Sequence, residues 1–368
     1  MTDLTSKYII NGPNNVVRLE NGEKILYIFG DYHWNADRQR ECEFNDKHDS
    51  IDIDKLLLKF MKEETKCEYD LFIEMNENDF INNINLRNNG HYKYMYILQI
   101  RKLFLTKFSF NKNQIITNKK YPNFRFHYSD IRDLLTIPTL SNFCYHTSTF
   151  LIYSFQDLKN VITDHSEILL DLKKLFKILN NNDNKNINKI KNVYNDKKIQ
   201  VEINHIFKEI IENLNNIIKN TLDIINFTSV NINKIKDFES FEKIRDKVAY
   251  EIYLKINQNK DEIAYLVATL TDLYFIRRFL DKDYIKKSIL YTGAAHMENI
   301  LFILVKYFNF KLTNVFYSNS SHNLNNIKKL SIKNFKYSKF LTTCFRHYDK
   351  HFQATQCVNL FNFPPNFT

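Results

Sequence analysis

Two segments from opposite ends of the chain finish in the same way. Lys24 to His33 reads Lys-Ile-Leu-Tyr-Ile-Phe-Gly-Asp-Tyr-His, and Ser288 to His296 reads Ser-Ile-Leu-Tyr-Thr-Gly-Ala-Ala-His. Each is a short apolar run closed by Gly-x-x-His, with Gly30 before His33 and Gly293 before His296. Other polar residues stand where further apolar runs stop: Asp31 beside Gly30, Glu74 in Leu71-Phe72-Ile73-Glu74-Met75, and Asp130 and Arg132 after Phe126-His127-Tyr128. Arg277 and Arg278 lie shortly before the second motif. Two imidazoles and a carboxylate are a common donor set for a hydrolytic divalent metal. Such an ion makes its bound water acidic and polarises a carbonyl. The expected ligands are His33 and His296, with Glu74 as third ligand or general base and Asp31 as a further candidate. The ion would be zinc, manganese or cobalt. Arg132 or Arg277 would hold a substrate carboxylate or an oxyanion, with Asp130 beside them.

The elements that must carry these residues follow from the same runs. A short apolar stretch bounded by glycine reads as a parallel strand covered on both faces. Glycine at its end permits a sharp turn, and the carboxyl edge of such a sheet is where α/β proteins place their sites. Asn11-Gly12-Pro13 and Asn21-Gly22 are turn signals around Val16-Val17-Arg18-Leu19, so a hairpin-like lead-in precedes the first core strand. Residues 34–50 read as a polar loop. Apolar spacing at Ile53, Leu56, Leu57, Phe60 and Met61 predicts a helix over 51–66, and Tyr69 to Met75 a second strand. Another helix is expected over 92–108 and a strand over 123–128, making the first third β-α-β-α-β.

The middle, 137–260, is rich in Ile, Leu, Lys and Asn with helical periodicity and reads as an insertion or cap. Asn180 to Asn186 contains only Asn, Asp and Lys and is expected to be a solvated loop. The last third returns to α/β, with a helix over 261–280, the second motif, a helix over 297–307 and a strand over 312–317. The predicted fold is α/β: a central mixed, mostly parallel sheet flanked by helices, with a large helical insertion. Its segments are 1–136, 137–260 and 261–368, forming one composite domain. The aromatic tail around Phe361, Phe363 and Phe367 is expected to pack on the body or on a partner.

Composition narrows the function classes. The 368 residues are 44% hydrophobic, enough for a sizeable core, and no run of apolar residues is long enough to span a bilayer. There are only 5 Gly and 5 Pro, well below average usage of roughly 7% and 5%. Turns must therefore use Asn and Asp, and the two glycines before the histidines gain meaning. The net charge is +10, yet the lysines are scattered among acidic residues, and no nucleic-acid-binding motif accompanies them. Binding to a specific nucleic acid is not expected. The opening residues lack a basic and then apolar leader, so the expected location is intracellular, in a host cytoplasm or a virus particle. Five cysteines without Cys-x-x-Cys spacing read as reduced thiols.

Bland readings compete with each feature. Taken singly, His33 and His296 each read as a buried histidine bonded to a backbone carbonyl; as a matched pair they read as a site. Glu74 has an alternative as the ion-pair partner of Arg132 or Arg277, and Asp130 with Arg132 as a structural salt bridge. Asp31 has no counterpart in the second motif, where Ala294 takes its place. His347 and His351 stand four apart but read His-Tyr-Asp-Lys-His, without the glutamate of a zinc-protease helix, and are expected on a surface helix. No Gly-x-Ser-x-Gly elbow or phosphate-binding glycine loop is present.

The paired motifs with the strand-end glutamate between them resemble the superfamily of TraB/PrgY, the Tiki proteases, erythromycin-esterase-like enzymes and haem-binding ChaN proteins. The matching positions are Gly30 to His33, Glu74 and Gly293 to His296. Asp272 to Phe279 and Phe126 to Arg132 look like the branch found in large DNA viruses. The resemblance covers roughly 22–135 and 260–318. It implies a sheet built from two related halves and a metal-dependent hydrolase acting on a peptide or ester. Fold likeness alone does not choose among the chemistries of that group. The alternatives are an inactive structural or interaction protein, associated with a virus particle or forming a homo-oligomer, and a haem binder of the ChaN type.

Overall fold

The computed structural model describes residues 9–33, 50–64, 66–75, 95–108, 120–130, 154–181, 184–317, 357–360, 363–364 and 367. The protein is a mixed α/β structure that divides into two compact units, residues 1–130 with 274–368 and residues 131–273.

The first unit is built on two sheets. Its strands are β1 (Ile9–Asn11), β2 (Asn15–Asn21), β3 (Lys24–Asp31), β4 (Ser50–Asp52), β5 (Tyr69–Ile73), β6 (Phe124–Tyr128), β7 (Lys287–Gly293), β8 (Lys311–Tyr317) and β9 (Cys357–Asn359). Six of them form a sheet in the order β6-β5-β7-β3-β2-β8, and three a smaller one in the order β4-β1-β9. The four strands from β6 to β3 run parallel, while β2 pairs antiparallel with β3 and with β8. The two motif strands, far apart in sequence, are therefore neighbours. Gly30 stands opposite Thr292 and Asp31 opposite Gly293.

Burial explains why these runs are strands. Leu26, Tyr27, Ile28 and Phe29 of β3 are all 0% exposed, so both faces of the sheet are covered. On one face Tyr27, Phe29, Tyr69, Leu71, Ile73 and Tyr291 pack with α1 (Ile53–Glu63) and α2 (Tyr96–Lys107). The buried stripe of α1 is Ile53, Leu56, Leu57, Phe60 and Met61, the spacing predicted for it. Phe363 and Phe367 belong to this core, so the described part of the tail packs on the body. Phe367 also accepts a hydrogen bond at its carbonyl from the Tyr69 hydroxyl, at 2.9 Å. On the other face Phe72 meets Phe275 edge-on, with ring centres 4.9 Å apart. The helix α7 (Ala294–Phe308) starts directly from Gly293 and ends at Asn309, whose left-handed φ of 55° closes it.

The second unit is helical: α3 (Phe155–Asn181), α4 (Lys185–Asn192), α5 (Lys197–Ile232) and α6 (Phe238–Asp281), whose last residues from Tyr274 belong to the first unit. The buried side of α5 runs through Ile203, Phe207, Ile210, Leu214, Ile217 and Ile224, a single stripe at helical spacing. Asn259 Nδ2 donates to Thr221 Oγ1 at 2.9 Å within the buried region, a polar contact that fixes one helix register against another.

Three expectations change. The Asn-rich stretch is not one loop: α3 continues through Asn181, and Asn184 caps α4 by accepting from the Asn186 and Ile187 amides. Asparagine is well suited to that capping position. The helix expected over 261–280 begins at Phe238, because Lys-, Asn- and Tyr-rich turns continue the pattern without a breaker. Cys357 is disulfide-bonded, against the expectation of reduced thiols, whereas Cys67 is free. Linear spacing cannot show which thiols the fold brings together. The polar loop over 34–49, Arg132, and His347 with His351 lie outside the described residues. No helix among the described residues is long and apolar enough to cross a membrane.

Candidate functional site at the carboxyl edge of the sheet

Glu74 stands one residue past β5 and is held from several sides. Its amide donates to the Tyr291 carbonyl of β7 at 3.1 Å, and the amide of Asp130 donates to the next carbonyl, Met75, at 3.2 Å. Arg101 of α2 donates to the Glu74 carbonyl through Nε, at 3.0 Å, and through Nη2. The side chain is buried, and its Oε2 accepts from the Gly293 amide at 2.6 Å and from Thr292 Oγ1 at 3.0 Å. Gly293 is the N-cap of α7 and has no side chain to cap the helix, so a carboxylate from another strand takes that place. The positive end of a helix favours the ionised form there.

Both motif histidines reach this carboxylate. His33 Nε2 lies 3.7 Å from Glu74 Oε2, and His296 Nε2 lies 3.6 Å from Glu74 Oε1. These separations are longer than a hydrogen bond. The His33 ring is 35% exposed, but its Nε2 is enclosed and has no hydrogen-bond partner. His296 is the third residue of α7 and is buried, so the second motif is a strand-to-helix junction rather than a loop. A side-chain carbon placed on Gly293 would sit 3.3 Å from Glu74 Oε2, 3.5 Å from His33 Nε2 and 3.7 Å from His296 Cδ2. The absent side chain lets all three groups approach the start of α7: at 3.3 Å from Glu74 Oε2 an added carbon would be tighter than ordinary van der Waals contact.

Asp31 joins the cluster through the backbone of His33. Its Oδ1 accepts from the His33 amide at 2.8 Å, and its Oδ2 accepts from the Tyr291 hydroxyl at 2.7 Å. Burial pushes the Asp31 carboxyl above its ordinary range, and the nearby His33 and these hydrogen bonds only partly oppose that. Burial likewise raises the Tyr291 hydroxyl well above the ordinary tyrosine value, and the neighbouring Asp31 adds to it. Asp130 is buried at the end of β6, tied to the strand that carries Glu74. Arg277 and Arg278 are half-buried on the last turns of α6, and it is the Arg278 charge that bears on His127.

A second carboxylate and histidine sit further back in the same sheet. Asp70 Oδ1 lies 2.6 Å from His127 Nε2, and Arg125 grips both oxygens of Asp70 at 2.9 and 2.8 Å. The Asp70 and His127 side chains are 0% exposed. Burial alone would raise the Asp70 carboxyl, but hydrogen bonds from Arg125 and His127 outweigh it and leave it below its ordinary value. Burial holds the His127 imidazole down at about 4, so a neutral ring donates to the carboxylate at pH 7.

The sequence reading missed Arg101, Thr292 and Tyr291 as neighbours of the site. Thr292 and Tyr291 lie inside the second motif strand, whose apolar run reads as buried. Their role depends on which strand stands alongside, and pairing is not visible in one strand. Arg101 sits on a helix with little apolar contrast, where one arginine carries no signal.

The donor types at the edge fit a divalent ion, and the two carboxylate–imidazole distances are close to the roughly 3.3 Å that separates ligands around a tetrahedral ion. Even so, no group of three His, Cys, Asp or Glu side chains among the described residues is drawn together into a cage. Glu74 Oε2 already accepts two hydrogen bonds. The residues as they stand do not form a ready metal centre, and no chemical step is drawn through an ion.

Fold and edge together define an α/β protein with a His-Glu-His cluster where two distant motif strands meet. The chain belongs to a family of unknown function, DUF5847, which matches residues 8–188 and 137–368. Similar proteins are found in Acanthamoeba polyphaga mimivirus. The uncharacterized protein R161 is 28% identical over the full length of both chains. The uncharacterized protein R160 is 29% identical over 87% of this chain and 90% of its own. The uncharacterized protein R706 is 28% identical over 85% of this chain and 88% of its own. No solved structure matches.

Proposed function

We propose that the carboxyl edge is a hydrolytic site that directs a water molecule at an ester or peptide carbonyl. The observation that carries this is one buried carboxylate, Glu74, flanked at 3.7 and 3.6 Å by two imidazole nitrogens, with the His33 ring 35% exposed at the sheet edge. In this reading the enclosed Nε2 of His33 takes the proton of the water. Glu74 stabilises the resulting imidazolium, and its own charge is fixed by the Gly293 amide and Thr292. His296 delivers a proton to the leaving group. The first-turn amides of α7 lie at the positive end of the helix, where negative charge on the carbonyl oxygen would be favoured.

A second reading, favoured by the donor types, places zinc, manganese or cobalt on His33, Glu74 and His296. The resemblance to the Tiki and TraB group supports it, and it requires the two rings to close on the carboxylate. Both readings are tested by one experiment. The purified protein is assayed on a panel of chromogenic esters and fluorogenic peptides, as isolated, after chelation, and after adding each ion. Turnover should fall about 100-fold or more in His33→Ala and in His296→Ala, the usual size of an acid–base contribution. Loss on chelation with recovery on one ion selects the metal reading; indifference to chelation selects the water held by protein groups alone. Absence of turnover under every condition would overturn both and leave the non-catalytic interaction role.

A further inference from the structure

We propose that Tyr291 and Asp31 are positioning residues that set the spacing between His33 and Glu74. His33 has a φ of 57°, in the left-handed region that few residues other than glycine occupy. Its amide is held there by Asp31 Oδ1, two residues back, at 2.8 Å. Asp31 is in turn anchored by the Tyr291 hydroxyl at 2.7 Å. That hydroxyl is confined: a side chain on Gly12 would come within 3.3 Å of it. The same Tyr291 accepts the Glu74 amide at its carbonyl, at 3.1 Å.

One residue of β7 thus braces both partners, His33 through its hydroxyl and Asp31, and Glu74 through its backbone. The parallel register explains how: Tyr291 is paired with Phe29 on one side and with Ile73 on the other. Phe29 lies two residues before Asp31, and Ile73 is the last residue of β5, directly before Glu74. Asp31, read from sequence as a candidate ligand, has both oxygens engaged in this bracing. The inference rests on the reading of His33 and Glu74 as a working pair, but it concerns placement and needs no substrate to test.

The test is nuclear magnetic resonance on the full chain with labelled histidine rings. The through-space contact between the His33 ring and the Gly293 α-protons reports the placement, and the buried His127 ring reports that the sheet is folded. In Asp31→Ala the His33 contact should weaken about tenfold, the population change expected from losing one charge-assisted hydrogen bond, while His127 is unmoved. Tyr291→Phe should move His33 in the same direction by less. Asp31→Asn keeps an oxygen for the His33 amide and should restore the contact. If Asp31→Ala also loses the His127 signal, Tyr291→Phe decides. An unchanged His33 contact in Tyr291→Phe and in any folded Asp31→Ala would overturn the proposal. The absence of hydrolysis would not affect this readout, so the two failures are separable.

Discussion

The sheet carries two carboxylate–histidine clusters that differ in spacing and in exposure. Asp70 and His127 touch at 2.6 Å, Arg125 closes the remaining valences of Asp70, and both side chains are 0% exposed. Glu74 stands 3.6 to 3.7 Å from its two histidines, and the His33 ring is 35% exposed. A buried charge must be paired, and the Asp70 carboxylate is, although His127 Nδ1 is buried without a hydrogen-bond partner. The Glu74 carboxylate is held by the Gly293 amide and Thr292, while both imidazole Nε2 atoms stand beyond hydrogen-bond distance of it. Direct, fully buried pairing suits a structural device; a held anion beside a partly exposed imidazole is what the proposed hydrolytic site requires.

The comparison is sharpened first at the structural end, where the largest effect is expected. Asp70→Ala leaves the buried His127 ring without its acceptor, while Arg125 keeps Glu68 and the Tyr284 carbonyl, and should cost about 3 kcal/mol in denaturant unfolding. A pH titration of stability follows from the same cluster. The His127 value is depressed from 6.5 to about 4, so between those values the unfolded chain binds the proton and the folded protein does not. Stability should therefore fall as pH drops through that window. Asp70, also depressed, adds a further loss as pH falls through its folded value. His127→Phe should flatten the first part of the curve, and a slope unchanged by that substitution would assign the acid sensitivity elsewhere.

Smaller effects are expected at the edge. Glu74→Ala leaves the Gly293 amide and the Thr292 hydroxyl without their acceptor and should cost about 1–3 kcal/mol in the same unfolding experiment. His33→Ala, with its loosely held ring, should change the melting free energy by less than about 1 kcal/mol. Gly293→Ala tests how closely the three groups pack. The backbone there, with φ −62° and ψ 149°, accepts any residue, but the added carbon would sit 3.3 Å from Glu74 Oε2, tighter than ordinary van der Waals contact, so the held carboxylate must give way slightly. The substitution should cost less than about 1 kcal/mol and shift the ring resonances of His33 and His296. Unchanged ring resonances in Gly293→Ala would contradict that close packing.

The residues that end apolar runs were legible in the sequence, and so was the sheet that carries them. Gly30, Glu74 and Gly293 announce strand ends because each interrupts a run of Ile, Leu, Phe or Tyr, and burial forces such runs into the middle of a parallel sheet. The meeting of His33, Glu74 and His296 followed from that, since parallel strands deliver their carboxyl ends to one edge. Contacts that depend on register were not legible. Asp70 and His127 stand 57 residues apart in sequence, and only the pairing of β5 with β6 brings them together. Tyr291 looked like core because its hydroxyl partner, Asp31, belongs to a strand from the other end of the chain. The second motif was read as a turn, yet Ala294, Ala295 and the apolar residues after them propagate a helix from Gly293 itself.

The most direct test sets the two carboxylates against each other in one assay: hydrolysis per folded molecule for Glu74→Gln and for Asp70→Asn, with the folded fraction measured alongside. The account predicts that Asp70→Asn melts earlier but retains the rate of each folded molecule. Glu74→Gln, in contrast, melts near the native protein and loses about 100-fold or more of that rate. A Glu74→Gln protein with native turnover, or an Asp70→Asn protein that stays fully folded and loses it, would contradict the assignment of chemistry to the carboxyl edge.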